Sequence, residues 1–349
     1  MKRGGFLTGG DVAPIREHAA GMFGAVAPLF QRADASFFNL ELPLSARGEA
    51  ARGKAICLRG LPASIDGVTE AGVSCVNLAN NHVLDYGDVA LFDTLDVLDA
   101  KSIGRFGAGR DIHEARKGYV LEKNGLRIGF LGYTTTLPTG FAATPKSPGV
   151  SSLRTHTAYQ PKASLAEYPG TGPRIVTWTD PGDLQELQRH VVAFRNEVDV
   201  LLIYVHWGTS MSPQVHDFQR EIARAAIDAG AHALFGGHQH VLSAIEFYRG
   251  CPVVYGSGNL LFDARPSFFT DETLKTFLFG AGIGPDGLGD CYLLPAKTGV
   301  DAPPRLLPRR DPLWNAIYED LQTYSSSCGT QLTAHEDAIE VRFEGFGES

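Results

Sequence analysis

The chain is poor in several things that would have assigned it to a simple class. Cysteine is scarce and scattered: Cys57, Cys75, Cys251, Cys291 and Cys328 are odd in number and include no Cys-x-x-Cys pair. That spacing excludes a disulfide scaffold and a thiolate zinc site, and leaves reduced thiols, most of them filling the core. No basic block is present, and 31 Lys and Arg against 39 Asp and Glu leave a net charge of -8, which removes the electrostatic footprint of a nucleic-acid binder. No run approaches the roughly 18 apolar residues of a membrane span. The amino terminus reaches Gly9-Gly10-Asp11 before an apolar stretch of signal-peptide length can form, so a cytoplasmic location is expected. A Gly-x-x-x-x-Gly-Lys-Ser/Thr phosphate loop is also missing, which argues against ATP binding of that kind. Disorder is excluded as well, because 44% hydrophobic residues are enough to build a core across 349 positions.

What is there is a succession of short apolar runs, several of which end in a polar or metal-ligating side chain. The most informative is Leu234-Phe235-Gly236-Gly237-His238-Gln239-His240. Residues 231–235 read as a buried strand, and the two glycines are expected to let the backbone turn at its carboxyl end. On a continuing strand His238 and His240 would point to the same face. Earlier in the chain, residues 6–8 form a strand leading to Asp11, and 35–42 form one carrying Glu41 against Pro43. Residues 73–78 form a strand leading into Asn80-Asn81-His82, and 198–205 form one ending in His206-Trp207-Gly208. Helices are expected over 15–33, 62–71, 88–100, 181–196, 213–229 and 313–324, with a hairpin around Lys123-Asn124-Gly125 and a further strand at 56–59. Strands alternating with helices, with ligands after the strands, argue for a layered α/β architecture.

Seven side chains are candidates for one site: Asp11, Glu41, Asn81, His82, His206, His238 and His240. Singly, Asp11 reads as a turn residue, Glu41 as an ion-paired carboxylate, Asn81 as a cap and His206 as a satisfied core histidine. Their joint placement at strand ends is harder to explain in that way. Carboxylates, an amide oxygen and imidazoles suit one or two divalent metal ions such as Mn, Fe or Zn.

Gly10-Asp11, Asn39-Leu40-Glu41, Asn80-Asn81-His82 with Asp85-Tyr86-Gly87, His206-Trp207-Gly208, Gly237-His238-Gln239-His240 and the later segment from Tyr255 to Phe262, in this order, closely resemble the poly-gamma-glutamate capsule biosynthesis (CapA-like) family. The resemblance covers about 6–262. It implies membership of the calcineurin-like metallophosphoesterase superfamily and its four-layer α/β/β/α sandwich. It also implies that Asp11 and His240 hold a first metal, that Glu41 bridges, and that Asn81, His206 and His238 hold a second. His82 would contact substrate as proton donor or anion stabiliser. Asn80, Asp85, Trp207 and Asn259, from the same motifs, are expected to support the ligands or touch substrate. Two departures stand out: the superfamily's usual His two residues after the first Asp is Ala13 here, and Glu41 replaces the usual Asp.

The expected function is a metal-dependent hydrolase, a phosphoesterase acting on a small phosphorylated or carboxylate-bearing molecule. The alternatives are an enzyme that forms or modifies a poly-gamma-glutamate-like or other amide-linked product, and a scaffold subunit without catalysis. Residues 1–263 are expected to form the main domain, with a lid or insertion for substrate selection at 134–180, and 264–349 an extension packed on it.

Overall fold

Period-two alternation of side chains, read along the longest apolar runs, decides how the chain folds. In the computed structural model, which describes residues 5–16, 18–336 and 338–343, those runs form two large sheets. In the first, Phe6–Ala13, Ala35–Leu40, Cys75–Asn77 and Gly104–Phe106 lie parallel and adjacent. Asn259–Phe262 joins in parallel beside the carboxyl half of Phe6–Ala13, and Lys275–Gly284 pairs antiparallel with its amino half. In the second, Leu126–Thr134, Val200–His206, Ala233–Gly237 and Cys251–Val254 run parallel, with Tyr119–Lys123 and Ile245–Tyr248 at the edges.

One side of each sheet faces the other sheet. Phe6, Phe37, Phe106, Phe130, Tyr204 and Phe235 share one apolar cluster drawn from both sheets, and Phe37 and Phe235 meet at 5.6 Å between ring centroids. The alternate residues face helices. Phe38 and Val76 pack with Leu91 and Leu95 of the helix Gly87–Ala100, and Ile203 and Val205 pack with Val191 of Pro181–Arg195 and Ile222 of Asp217–Asp228. This is the α/β class expected, and it places the carboxyl ends of parallel strands from both sheets together, where such folds gather ligands.

Some elements depart from expectation. The helix expected over 15–33 is reduced to a 3-10 turn, Gly24–Val26, and a short helix, Ala27–Arg32. Gly21 and Gly24 both take positive φ (69° and 47°), which breaks a helix before it starts. The strand expected at 56–59 is irregular, with a single bridge between Leu44 and Gly60. Residues 134–180, expected as a lid or insertion and given no helix or strand from the sequence, carry regular structure. They contain the hairpin Thr155–Gln160 with Arg174–Thr179, which lies against the helix Asp217–Asp228 through Thr177, whose hydroxyl accepts from the Phe218 N–H at 3.4 Å. Near the carboxyl end, Lys275–Gly284 and Gly287–Lys297 extend the first sheet, and the helix Pro312–Ser325 places Trp314, Ile317 and Leu321 in the cluster between the sheets.

Candidate metal centre

Asp11 comes from the first sheet's Phe6–Ala13, where a register shift against Asn259–Phe262 falls between Asp11 and Val12. Glu41 is the residue after Ala35–Leu40, tied back by its N–H to the Val12 carbonyl at 2.8 Å. His206 ends its strand, and His238 and His240 follow Ala233–Gly237. The strand does not continue through the two histidines as expected. They take φ of 92° and 59°, so a tight left-handed turn, not strand alternation, brings both imidazoles inward. The preceding glycines serve close packing instead of the turn. A Cβ on Gly236 would lie 2.1 Å from Trp207 Nε1, and one on Gly237 would lie 2.1 Å from the Tyr204 hydroxyl and 2.5 Å from Asp11 Oδ1.

These side chains form two overlapping groups that share one carboxylate: Glu41 with His206 and His238, and Asp11 with Glu41 and His240. In each group the ligand atoms lie within 4.8 Å of one another. Glu41 Oε1 is 3.3 Å from His206 Nε2 and 3.9 Å from His240 Nε2. Glu41 is fully buried, yet neither carboxylate oxygen has a hydrogen-bond partner, and His238 Nδ1 is likewise buried without one. Buried polar atoms are rarely left so. A cation in their midst would satisfy all three, so the donor set fits a divalent metal.

Neighbouring groups fix the ring orientations. His206 Nδ1 lies 3.3 Å from Asn39 Nδ2 and 3.3 Å from the Tyr204 hydroxyl, whose single proton goes to Asp11, so the Tyr204 oxygen can accept Nδ1–H. Its Nε2 is thereby left toward Glu41 and toward Asn81 Oδ1 at 2.8 Å. His240 Nδ1 is 2.9 Å from Asn259 Oδ1, an arrangement in which Nδ1–H donates and Nε2 stays free. Asp11 accepts from Asn39 Nδ2 and the Tyr204 hydroxyl, both at 2.9 Å, and from the His238 N–H at 3.1 Å. Burial opposes ionisation of Asp11, but His206, His240 and these hydrogen bonds outweigh it and hold its carboxyl below the usual range. Burial, reinforced by Asp11, pushes Glu41 well above the usual range. Burial also lowers His206 to about 4 and His238 well below its ordinary value, which keeps both imidazoles neutral, the form that binds metal.

His82 stands beside the cluster with its Nδ1 2.6 Å from Asp85 Oδ2, so Asp85 orients the ring. Asn80 does not face the ligands. Its side-chain oxygen accepts from the N–H groups of His82 and Val83, both at 3.0 Å, and its amide donates to Asn39 Oδ1 and the Leu40 carbonyl, so it shapes the loop that presents Asn81. Trp207 points away, into the cluster on the helix side, where its indole N–H donates to the Tyr255 carbonyl at 2.9 Å. Ala13, two residues after Asp11, is fully buried in the helix-side cluster of the first sheet.

Three residues of the site escaped sequence reasoning. Asn39 links Asp11 and His206 to Asn77 and Asn80; an amide two residues before Glu41 in an apolar strand was the available signal. Tyr204 precedes His206 by two and therefore shares its face. Lys54 reaches Asp85 Oδ1, the Asn81 carbonyl at 2.6 Å and His82 Nδ1 at 2.9 Å from an irregular stretch that carries no pattern to read.

The sequence profile of the family described as "Bacterial capsule synthesis protein PGA_cap" matches residues 4–264. The chain belongs to this family. It is 29% identical over 278 residues to "PGA biosynthesis protein CapA" of Bacillus subtilis (strain 168), covering 78% of this chain and 66% of that protein. It is 25% identical over 324 residues to "Capsule biosynthesis protein CapA" of Bacillus anthracis, covering 92% of this chain and 71% of that protein. The chain thus spans about two thirds of the length of these relatives. Among the described residues, no helix is long and apolar enough to cross a membrane.

Proposed function

We propose that the protein is a metal-dependent hydrolase, a phosphoesterase whose centre is built on Glu41. The carrying observation is the fully buried Glu41 carboxylate, unpartnered on both oxygens, with imidazoles converging on it from two directions. His206, His238 and Asn81 would hold one metal with Glu41, and Asp11 and His240 would hold a second. Metal bound there supplies Lewis acidity toward a phosphoryl or carbonyl oxygen and lowers the pKa of water. The chain's own part is orientation. Asn39 and Tyr204 hold Asp11 and His206 in place, and Asn259 holds His240. Asp85 engages His82 Nδ1, which leaves Nε2 as the ring nitrogen for a substrate oxygen or its proton.

A second reading, formation or modification of an amide-linked product, draws its support from the relatives' names, which speak of capsule and PGA biosynthesis. One experiment separates the two. Metal content is measured on protein purified without added metal, and turnover of phosphomonoesters, phosphodiesters and glutamyl peptides is then assayed with that metal restored. Phosphate release that depends on metal supports the first reading. Turnover of glutamyl substrates alone would replace it with the second, and protein that takes up no metal would remove both.

A further inference from the structure

Beside the ligand cluster lies a cavity of about 250 Å³ lined by both polar and apolar side chains. Asn81, His82, His238 and His240 line it together with apolar residues, among them Ile56, Pro266 and three phenylalanines. Phe262 and Phe269 each stand 5.0 Å from the His240 ring, and Phe268, packed edge-on to Phe269 at 5.3 Å, is 47% exposed at the rim. A large apolar ring left in water next to a polar centre is the kind of surface a ligand covers.

Lys54 is the one Lys or Arg among the described residues that line this cavity, and it is not available to a ligand. Its ammonium group already donates to the Asn81 carbonyl and to Asp85 Oδ1, and it lies 2.9 Å from His82 Nδ1. Turning Lys54 toward a substrate would leave the fully buried Asp85 without its counter-charge. Away from the ligand cluster, then, the cavity has no free positive group to receive a second anion, and Ser210 is its neutral polar contribution.

We infer, resting on the metal-centre reading above, that the substrate presents a single anionic group to the ligand cluster and carries beside it an uncharged apolar group, aliphatic or aromatic, that packs on Ile56, Phe268 and Phe269. A second carboxylate at that position, as successive units of a polyanionic chain would bring, is disfavoured because it would be desolvated against apolar side chains.

The test is direct binding, measured by titration calorimetry on metal-reconstituted protein with three non-hydrolysable phosphonates: methyl-, propyl- and 2-carboxyethylphosphonate. The last two have similar length and differ in the terminal group. Each methylene buried is worth roughly a factor of four, so propylphosphonate should bind about tenfold more tightly than methylphosphonate. The carboxyethyl compound should bind no more tightly than the methyl one. Phe268→Ala and, independently, Ile56→Ala should each narrow the propyl-to-methyl ratio severalfold at undiminished metal content. Equal affinity for propyl and methyl, or a carboxyethyl affinity matching propyl, overturns the inference while leaving the metal centre standing. Failure of all three to bind to protein with full metal content overturns the phosphoesterase reading, and this inference with it.

Discussion

A carboxylate held away from water with no hydrogen bond costs several kcal/mol unless a cation answers it, and Glu41 is such a group. Glu41→Gln removes the charge and keeps the shape, so it should abolish metal binding at both groups while the metal-free protein folds; wild-type metal content in that variant, by plasma mass spectrometry, would exclude Glu41 as the shared ligand. His206→Ala and His238→Ala should each empty one group and reduce metal content sharply. His82→Ala is expected to behave differently. Its Nδ1 is taken by Asp85 and it belongs to neither ligand group, so metal should be retained while turnover falls by roughly 10²- to 10⁴-fold. Loss of metal in proportion to activity would make His82 a ligand instead. Most of these residues were legible in the sequence because each follows an apolar run. Lys54 was not, because a side chain in an irregular segment has no periodicity to betray where it points.

At the level of elements, the strand Ala233–Gly237 shows how backbone packing sets side-chain chemistry. Gly237→Ala would drive a methyl into the Tyr204 hydroxyl and Asp11 Oδ1, so it should weaken metal binding without replacing any ligand, and calorimetric metal titration reads this out. Unchanged affinity would mean that the strand shifts to accommodate the methyl. The helix Pro181–Arg195 carries a separate, pH-dependent contact. His190 Nδ1 accepts the Tyr133 hydroxyl, and burial, aided by Arg116, lowers the imidazole's pKa. A base whose folded pKa is depressed binds fewer protons folded than unfolded. Its stabilising contribution is therefore complete above about pH 6.5, is lost as pH falls from there toward the folded pKa, and is constant below it. Thermal melts of His190→Gln should accordingly show a weaker loss of stability over that window than wild type, and identical profiles would assign the acid sensitivity elsewhere. The helix itself, from its apolar spacing and Asp180-Pro181 start, was legible almost to the residue; the hairpin Thr155–Gln160 with Arg174–Thr179 was not, because its exposed strands lack an apolar face.

For the molecule as a whole, the two sheets each contribute part of the centre, so metal should couple them. Titration of metal-free protein is expected to show two unequal steps, the tighter at Glu41, His206, His238 and Asn81, the weaker at Asp11 and His240, where Ala13 supplies no ligand. A hundredfold excess over Kd should add about 2.7 kcal/mol to stability, seen as a rise in Tm of about a few degrees, and chelation should reverse it. Two equally tight steps would mean that another group completes the Asp11 site. A single tight step at Asp11 and His240 would reverse the order.

The sequence by itself determined the α/β class, the strands that end in ligands and the candidate ligands, because alternating and continuous apolar runs specify burial and a polar residue at the end of such a run has few structural uses. Tertiary structure alone decided which candidate ligands share a carboxylate, since Glu41 and His206 lie on different sheets and meet only when the aromatic cluster around Phe37 and Phe235 closes. It decided that His238 and His240 converge through a left-handed turn, that Trp207 faces the helices, and that Lys54 locks His82 and Asp85. Each of these depends on contacts between residues far apart in the chain, and local periodicity carries no record of them.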